Sequence, residues 1–231
     1  TSIASYCVQI LNKLGISASG IGTIGVFGDF GKDMTEKYGA NLTTANPVDL
    51  RRMLHELAEK GVDSVCFEAS SHGLHQKRLG NIKVCAAGFS SFSEDHLDYH
   101  KNMDDYLAAK LELFSKHLID GAKAVIESEI NYKEKIVNFF NSNRIEYIEI
   151  GKNGDIKILE YASDITGQDI TFTRTAKKYE FHTNIIGSFQ ATNILIAAEL
   201  VANACKINYQ KIADVLGELK SVSGRLEKVS F

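Results

Sequence analysis

Asp95, His96, Asp98 and His100 fall within six positions, and one helix later stands Lys110, in Ala108-Ala109-Lys110. Carboxylates beside an imidazole are metal-ligand chemistry, and that mixture suits a hard cation such as magnesium. A polar loop ahead of a helix would use the same residue types, so the stretch needs support from elsewhere. Glu68 gives some. It stands near the end of the apolar run Val62–Ser70, directly before Ala69-Ser70-Ser71-His72-Gly73. Ligands of open α/β sheets bind beyond the carboxyl ends of the strands, where a carboxylate can hold Mg²⁺ beside a phosphate. Its alternative task is to cap the following helix. Ser70, Gln76 and Arg78 follow on one loop or short helix. Arg78 could grip an anionic substrate with two N–H groups, while Ser70 and Gln76 could hydrogen-bond a sugar or peptide. An arginine so placed also serves as a solvated surface residue.

Lys110 flanks the stripe Leu107, Leu111, Phe114 and Leu118, whereas Lys116 projects to the opposite side. A partly desolvated lysine has a depressed pKa, becomes nucleophilic and can capture CO₂ as a carbamate. Its alternative is a snorkelling lysine whose stem covers the edge of the core. Thr43 and Thr44 precede a helix that opens near Pro47. Hydroxyls and free N–H groups there suit phosphate or another anionic group, although N-capping would also explain them. His72 is a loop-ligand candidate, and His55, His75, His117 and His182 read as ordinary helix or strand residues. No Ser-His-Asp order or Cys-His pairing suggests a hydrolase.

The elements that must position these residues alternate. Ile3, Cys7, Ile10, Leu11 and Leu14 predict an opening helix ended by Gly15. Strands are expected over Ala18–Val26, Val62–Ser70, Val84–Ser90, Lys123–Glu127 and Ile145–Ile150, and helices over Pro47–Lys60, Asp104–Leu118 and Tyr132–Ser142. That alternation predicts an α/β fold with a mostly parallel sheet flanked by helices. From Asp155 the pattern becomes an antiparallel meander over Asp155–Ile165, Asp169–Thr175 and Lys178–Ile186, a small β appendage. Helices over Ser188–Cys205 and Tyr209–Leu219 follow.

With 231 residues and 44% hydrophobic content the chain can bury a sizeable core. Its net charge of −3 argues against a general nucleic-acid binder. Four cysteines, far apart and each in an apolar run, predict buried free thiols in a reducing cytosol. No apolar run approaches the roughly 20 residues that span a bilayer, and no signal peptide opens the chain. A soluble, cytoplasmic protein without membrane insertion is expected.

Taken together, Leu42-Thr43-Thr44, Glu68-Ala69-Ser70-Ser71-His72-Gly73-Leu74, Gln76-Lys77-Arg78, Asp95-His96-Leu97-Asp98-Tyr99-His100 and Ala108-Ala109-Lys110 resemble the Mur ligase family. Within it they are most similar to the branch that adds the third amino acid to the peptidoglycan precursor. Gly187-Ser188-Phe189-Gln190-Ala191-Thr192-Asn193 resembles the family's late stretch near the nucleotide, with Gln190 where asparagine is usual. Ser223-Gly224-Arg225-Leu226-Glu227 resembles the close of the central domain. Ala45-Asn46 replace the usual Pro-Glu. The resemblance covers residues 1–231 as one central ATP-binding domain of a P-loop NTPase-like, three-domain enzyme. It implies that Thr1 matches the last residue of a phosphate loop ending Gly-Lys-Thr. The flanking UDP-binding and amino-acid-binding domains would then lie outside this stretch.

The implied activity is an ATP- and Mg²⁺-dependent amide ligase of peptidoglycan synthesis. A substrate carboxylate becomes an acyl phosphate, and an incoming amine then displaces phosphate. The implied partners are UDP-N-acetylmuramoyl-dipeptide and a diamino acid, diaminopimelate or lysine, with no nucleic acid and a monomeric enzyme. By the same resemblance Thr1 and Glu68 hold one Mg²⁺, and His96 with carbamylated Lys110 a second. Thr43, Thr44, Ser70, Gln76 and Arg78 position the muramoyl-dipeptide, and Gln190 and Asn193 lie at the nucleotide. Other amide ligases on this scaffold, such as folylpolyglutamate or cyanophycin synthetase, would share the phosphate chemistry. A catalytically silent core fragment and a P-loop switch or motor are the readings of another class.

Overall fold

The computed structural model describes residues 1–39, 42–222 and 224–225. Helix α1 (Ser2–Lys13) opens the chain as expected, and its turns end where Gly15 takes φ +78°. The single strand expected over Ala18–Val26 is instead a hairpin of β1 (Ala18–Gly22) and β2 (Gly25–Gly28), pairing Gly22 with Gly25. Only Thr23 and Ile24 lie between them, and Gly25 after them takes φ +85°, the left-handed conformation that favours glycine where a type I turn closes a hairpin. A short polar helix, α2 (Gly31–Tyr38), follows where no element was expected. Helix α3 (Pro47–Glu59) begins with proline in its first turn, and the Asn46 side chain accepts from the Val48 and Asp49 N–H groups. Leu50, Met53 and Leu57 form its buried stripe.

Strand β3 (Ser64–Phe67) runs parallel to β1, giving a three-stranded sheet in the order β2-β1-β3. After it come α4 (Ser71–His75), β4 (Ala87–Phe89) and α5 (Met103–Glu112), the last capped by Asn102 accepting from Asp105 N–H. The helix expected through Leu118 widens after Glu112 into a π turn over Leu113–His117, closed by a Leu118 N–H to Leu113 C=O bond of 3.1 Å. Next are β5 (Ala124–Glu127), α6 (Lys133–Ser142) and β6 (Tyr147–Gly151), and then β7 (Ile156–Ser163), β8 (Gln168–Arg174) and β9 (Lys177–Thr183). Strands β4 to β7 are parallel and β7 to β9 antiparallel, so the meander continues the larger sheet in the order β4-β5-β6-β7-β8-β9. Helix α7 (Ser188–Cys205) leads to α8 (Tyr209–Ala213) and a 3₁₀ turn over Leu216–Glu218. The single helix expected over Tyr209–Leu219 breaks because its end tightens into i→i+3 bonds such as Val215 N–H to Ile212 C=O.

Helix α7 is apolar on every side over its middle, where Ile194, Leu195, Ile196, Ala197 and Ala198 are all fully buried. Such a helix must be covered on every side. It lies on β4, β5 and β6 and packs against α1, which in turn covers the three-stranded sheet. The two sheets are therefore joined through one helical layer, and α1 brings Thr1 toward the carboxyl end of β3. Cys7, Cys66 and Cys205 adjoin this core, whereas Cys85 is exposed, unlike the buried thiol expected there. Among the described residues no helix is long and apolar enough to cross a membrane.

One charged group sits inside this layer. Glu199 of α7 is fully buried and takes Arg174 Nε and Nη2 at 2.8 and 3.0 Å, while the guanidinium lies 4.3 Å from the Tyr209 ring centroid. Glu199→Ala would leave that cation without its partner, so a loss of about 3–5 kcal/mol is expected from urea unfolding. A loss below about 1 kcal/mol would show the pair to be dispensable.

Candidate active site

Glu68 begins where β3 ends, and its N–H still donates to Ile21 C=O at 2.9 Å, so the ladder fixes its backbone. The side chain lies over Gly22, where a Cβ would stand 2.1 Å from Glu68 Oε1, so any larger residue there would push the carboxylate from its place. Glu68 Oε2 accepts the Thr1 hydroxyl at 3.0 Å and the Thr23 hydroxyl at 2.9 Å, and Oε1 accepts Thr23 N–H at 3.2 Å. Arg225 Nη2 reaches the same Thr1 hydroxyl at 3.4 Å. Helix α4 is capped by Ser70, whose Oγ accepts Gly73 N–H at 3.0 Å. Glu68 therefore does not serve as its cap.

Thr44 is buried beside Glu68. Its hydroxyl donates to Glu68 C=O at 2.9 Å, accepts Ser70 N–H at 2.9 Å and touches Ser70 Oγ at 3.1 Å. Thr43 touches Thr23 hydroxyl to hydroxyl at 3.1 Å. Neither threonine caps α3, a task taken by Asn46. Arg78 Nη1 donates to Thr44 C=O at 2.7 Å, while Nε and Nη2 clamp Gln76 Oε1 at 3.0 and 2.6 Å. Gln76 Nε2 and His75 Nδ1 both meet the Tyr99 hydroxyl, at 3.1 and 2.9 Å. Arg78 is thus a built-in strut of the loop. Thr43, Thr44, Ser70, Gln76 and Arg78 form one network around Glu68.

The second group lies between α4 and α5. His96 takes φ +55°, held by Asp95 Oδ1 accepting its N–H at 2.8 Å. His96 meets the Tyr106 ring edge-on at 5.9 Å, and Lys110 Nζ stands 5.0 Å from the same ring and 5.8 Å from Phe89. Burial lowers the Lys110 pKa, with the Asp95 charge pulling the other way. Its amine rests against aromatic faces, in contrast with a snorkelling head in water. His72 packs against His96 at 4.9 Å and Tyr99 at 4.0 Å. His100 is buried against Tyr106 at 5.1 Å, and its Nε2 has no hydrogen-bond partner in the structure. Burial first, then neighbouring imidazoles, lowers the pKa of both His72 and His100.

These groups fit magnesium unequally. Glu68 with the Thr1 and Thr23 hydroxyls is an all-oxygen donor set of the kind a hard cation takes. His96 brings one nitrogen, and Lys110 becomes a ligand only once its amine is converted to an anion. Among the described residues no cluster of three or more His, Cys, Asp or Glu is arranged to hold a metal.

Gln190 and Asn193 lie on α7, against α1. Gln190 is fully buried: its Oε1 accepts Tyr6 OH at 3.0 Å and Asn193 Nδ2 at 3.2 Å, and its Nε2 donates to Arg225 C=O at 3.4 Å. The Gln190 amide is engaged within the fold, and Arg225 joins it to Thr1. Ser223, Leu226 and Glu227, from the closing stretch singled out in the sequence, lie outside the described residues, as does Asn41 beside Leu42. Thr23, Tyr99 and Tyr106 were passed over in the sequence. The glycines at 22 and 25 that flank a two-residue turn were the available signal for Thr23.

An oxygen-rich site beyond the ends of parallel strands, in a helix-covered sheet, defines a ligand-binding domain of the α/β class. The chain belongs to the Mur ligase middle domain family, whose model matches residues 1–201. It is 43% identical over 230 residues to the UDP-N-acetylmuramoyl-L-alanyl-D-glutamate–2,6-diaminopimelate ligase of Rickettsia bellii (strain RML369-C), covering 100% of this chain and 48% of that protein. The chain thus spans about half the length of the curated relatives it matches. A solved structure of a ligase of the same name superposes with a TM-score of 0.83 at 22% identity, over 100% of this chain and 46% of that one. An FPGS–AMPPCP complex superposes with a TM-score of 0.74 at 13% identity, over 100% of this chain and 63% of the other. At those identities the two structures speak for the fold alone.

Proposed function

We propose that this chain is the ATP-handling core of an amide ligase that adds the third amino acid, meso-diaminopimelate, to UDP-N-acetylmuramoyl-L-alanyl-D-glutamate in peptidoglycan synthesis. The observation that carries this reading is the double use of Glu68. Its carboxylate gathers the Thr1 and Thr23 hydroxyls, and its carbonyl anchors Thr44, hence Ser70 and Arg78. One residue thereby joins a phosphate-side donor set to a peptide-side network. The name borne by the 43%-identical relative supports the choice of substrates. ATP as the energy source is supported by membership of a ligase family and by the AMPPCP complex of a protein with the same fold.

Phosphoryl transfer of this kind needs positioning and charge neutralisation more than covalent help. Thr1 with Glu68, and His96 with carbamylated Lys110, would hold Mg²⁺, which when bound neutralises phosphate oxygens. Arg78 and Gln76 stiffen the loop that receives the muramoyl-peptide, Thr43, Thr44 and Ser70 line it, and Gln190 and Asn193 support the nucleotide side. Cytoplasmic location and a monomeric enzyme belong to the same proposal.

Joined to its flanking domains, the enzyme should release phosphate from ATP with UDP-N-acetylmuramoyl-L-alanyl-D-glutamate and a single diamino acid from a panel. Silence with every amino acid would overturn the assignment and leave other amide ligases, folylpolyglutamate synthetase among them. Arg78→Lys should raise KM for the muramoyl-peptide about tenfold with little change in KM for the amino acid. A lysine cannot bond Thr44 C=O and Gln76 Oε1 with one planar fork. Equal shifts in both constants would instead mean a general loss of structure.

A further inference from the structure

Each hydroxyl near Glu68 has a single proton to give. The Thr23 hydroxyl gives its proton to Glu68 Oε2, so the 3.1 Å contact with Thr43 must be made by the proton of Thr43. The Thr44 hydroxyl gives its proton to Glu68 C=O, so Ser70 is the donor in their 3.1 Å contact. Both chains of protons run inward to Glu68. Thr43 keeps its lone pairs to offer, and Ser70, which already accepts Gly73 N–H, keeps one, even though hydroxyls near a helix start suggested an anion site.

We propose that Thr23 is a positioning residue that grips the Glu68 carboxylate at both oxygens and, through the proton order it sets, makes Thr43 a hydrogen-bond acceptor for a substrate N–H or O–H donor. The grip has two points: the Thr23 N–H on Oε1 and the hydroxyl on Oε2, which together stop the carboxylate from rotating. A carboxylate so held presents its remaining lone pairs to a cation in one orientation. Thr43 then takes an amide or sugar donor, and anionic groups fall to the metal side. The substrate half of this inference rests on the function proposed above, whereas the grip on Glu68 does not.

Thr23→Val keeps the side-chain shape and removes the hydroxyl, while Thr23→Ser keeps the hydroxyl. In the full enzyme, Thr23→Val should raise both the Mg²⁺ concentration for half-maximal phosphate release and KM for the muramoyl-peptide, each about tenfold. KM for the amino acid should stay unchanged, and Thr23→Ser should restore both constants to within about twofold. Without turnover, the rise in Tm produced by Mg²⁺–ADP should shrink in Thr23→Val and return in Thr23→Ser, with the unliganded Tm nearly unchanged. Unaltered Mg²⁺ dependence and an undiminished Tm rise in Thr23→Val would overturn the grip. Unaltered KM for the muramoyl-peptide would overturn the role assigned to Thr43. If the unsubstituted enzyme proved silent with the muramoyl substrate, the proposed function would fail, and the Tm comparison would still judge Thr23.

Discussion

Lys110→Ala is expected to slow turnover by the full enzyme about 10³-fold, with bicarbonate unable to restore it. The amine of Lys110 lies among Phe89, Tyr106 and the buried end of α5, where burial depresses its pKa. A lower pKa leaves more neutral amine at a given pH. Only that form adds CO₂, its nitrogen bonding the carbon as one proton is released, to give an anionic carbamate. The sign follows: carbamylation should rise with pH and with CO₂. The ring faces favour the ammonium form, so under the proposed function conversion would exchange a cation–π contact for a ligand to Mg²⁺ shared with His96. Loss of such a ligand would remove several kcal/mol of charge neutralisation, and about 1.4 kcal/mol corresponds to tenfold in rate. Lys110→Arg should be equally inactive, since guanidinium keeps the charge and cannot form the carbamate. Acetate should partly rescue Lys110→Ala by replacing the missing carboxylate. In the unsubstituted enzyme, removing CO₂ should slow phosphate release and bicarbonate should restore it. Full activity in Lys110→Ala would sink the carbamate role.

The elements and site residues that were legible in the sequence share one property: their signal is local. Asn46-Pro47 followed by Leu50, Met53 and Leu57 carries the start, length and inner face of α3. The Val62–Ser70 run delivers Glu68 to a strand end, and Ser70, Gln76 and Arg78 are close enough in sequence to fold onto one loop. What was missed depends on partners or on turn geometry. The Ala18–Val26 run mixes small, apolar and hydroxyl residues without a charge, so its hydropathy gives no sign of the reversal at Thr23-Ile24, and Thr23 stayed hidden inside an assumed strand. Helix α2 has only Gly31 and Met34 buried, too few for a helical stripe. Gln190 was placed at the nucleotide by its motif alone, since nothing near it in sequence predicts Tyr6, which is 184 residues away and donates its hydroxyl to the Gln190 carbonyl oxygen. The four acid and imidazole groups of 95–100 read either as metal-ligand chemistry or as a polar loop ahead of a helix. In the fold Asp95 caps the turn at His96 and His100 stacks on Tyr106, so spacing alone overstated their common purpose.

Glu68→Gln offers the sharper separation of chemistry from architecture. The turnover rate is expected to fall by two to three orders of magnitude, about 10²–10³-fold, with unfolding free energy within about 1 kcal/mol of the parent. Glutamine has the same shape over Gly22 and keeps the close contact there. Its carbonyl oxygen can still accept Thr23 N–H, the one donor that cannot turn around. The amide nitrogen would then face the Thr1 and Thr23 hydroxyls, and both can rotate to accept. Thr23 would be free to donate to Thr43, which reverses the proton order and satisfies each of these hydroxyl contacts. The fold should scarcely register the change. A bound cation should, because under the proposed function a neutral amide would replace an ionised carboxylate among its oxygen ligands. Phosphate release titrated with Mg²⁺ should therefore show a large rise in the half-saturating concentration, and urea unfolding should move little. Glu68→Asp keeps the charge but withdraws it from Thr1 and Thr23, so its rate should fall between the two. Parent-like turnover at low Mg²⁺ in Glu68→Gln would remove this carboxylate from the metal site, whatever its place in the network.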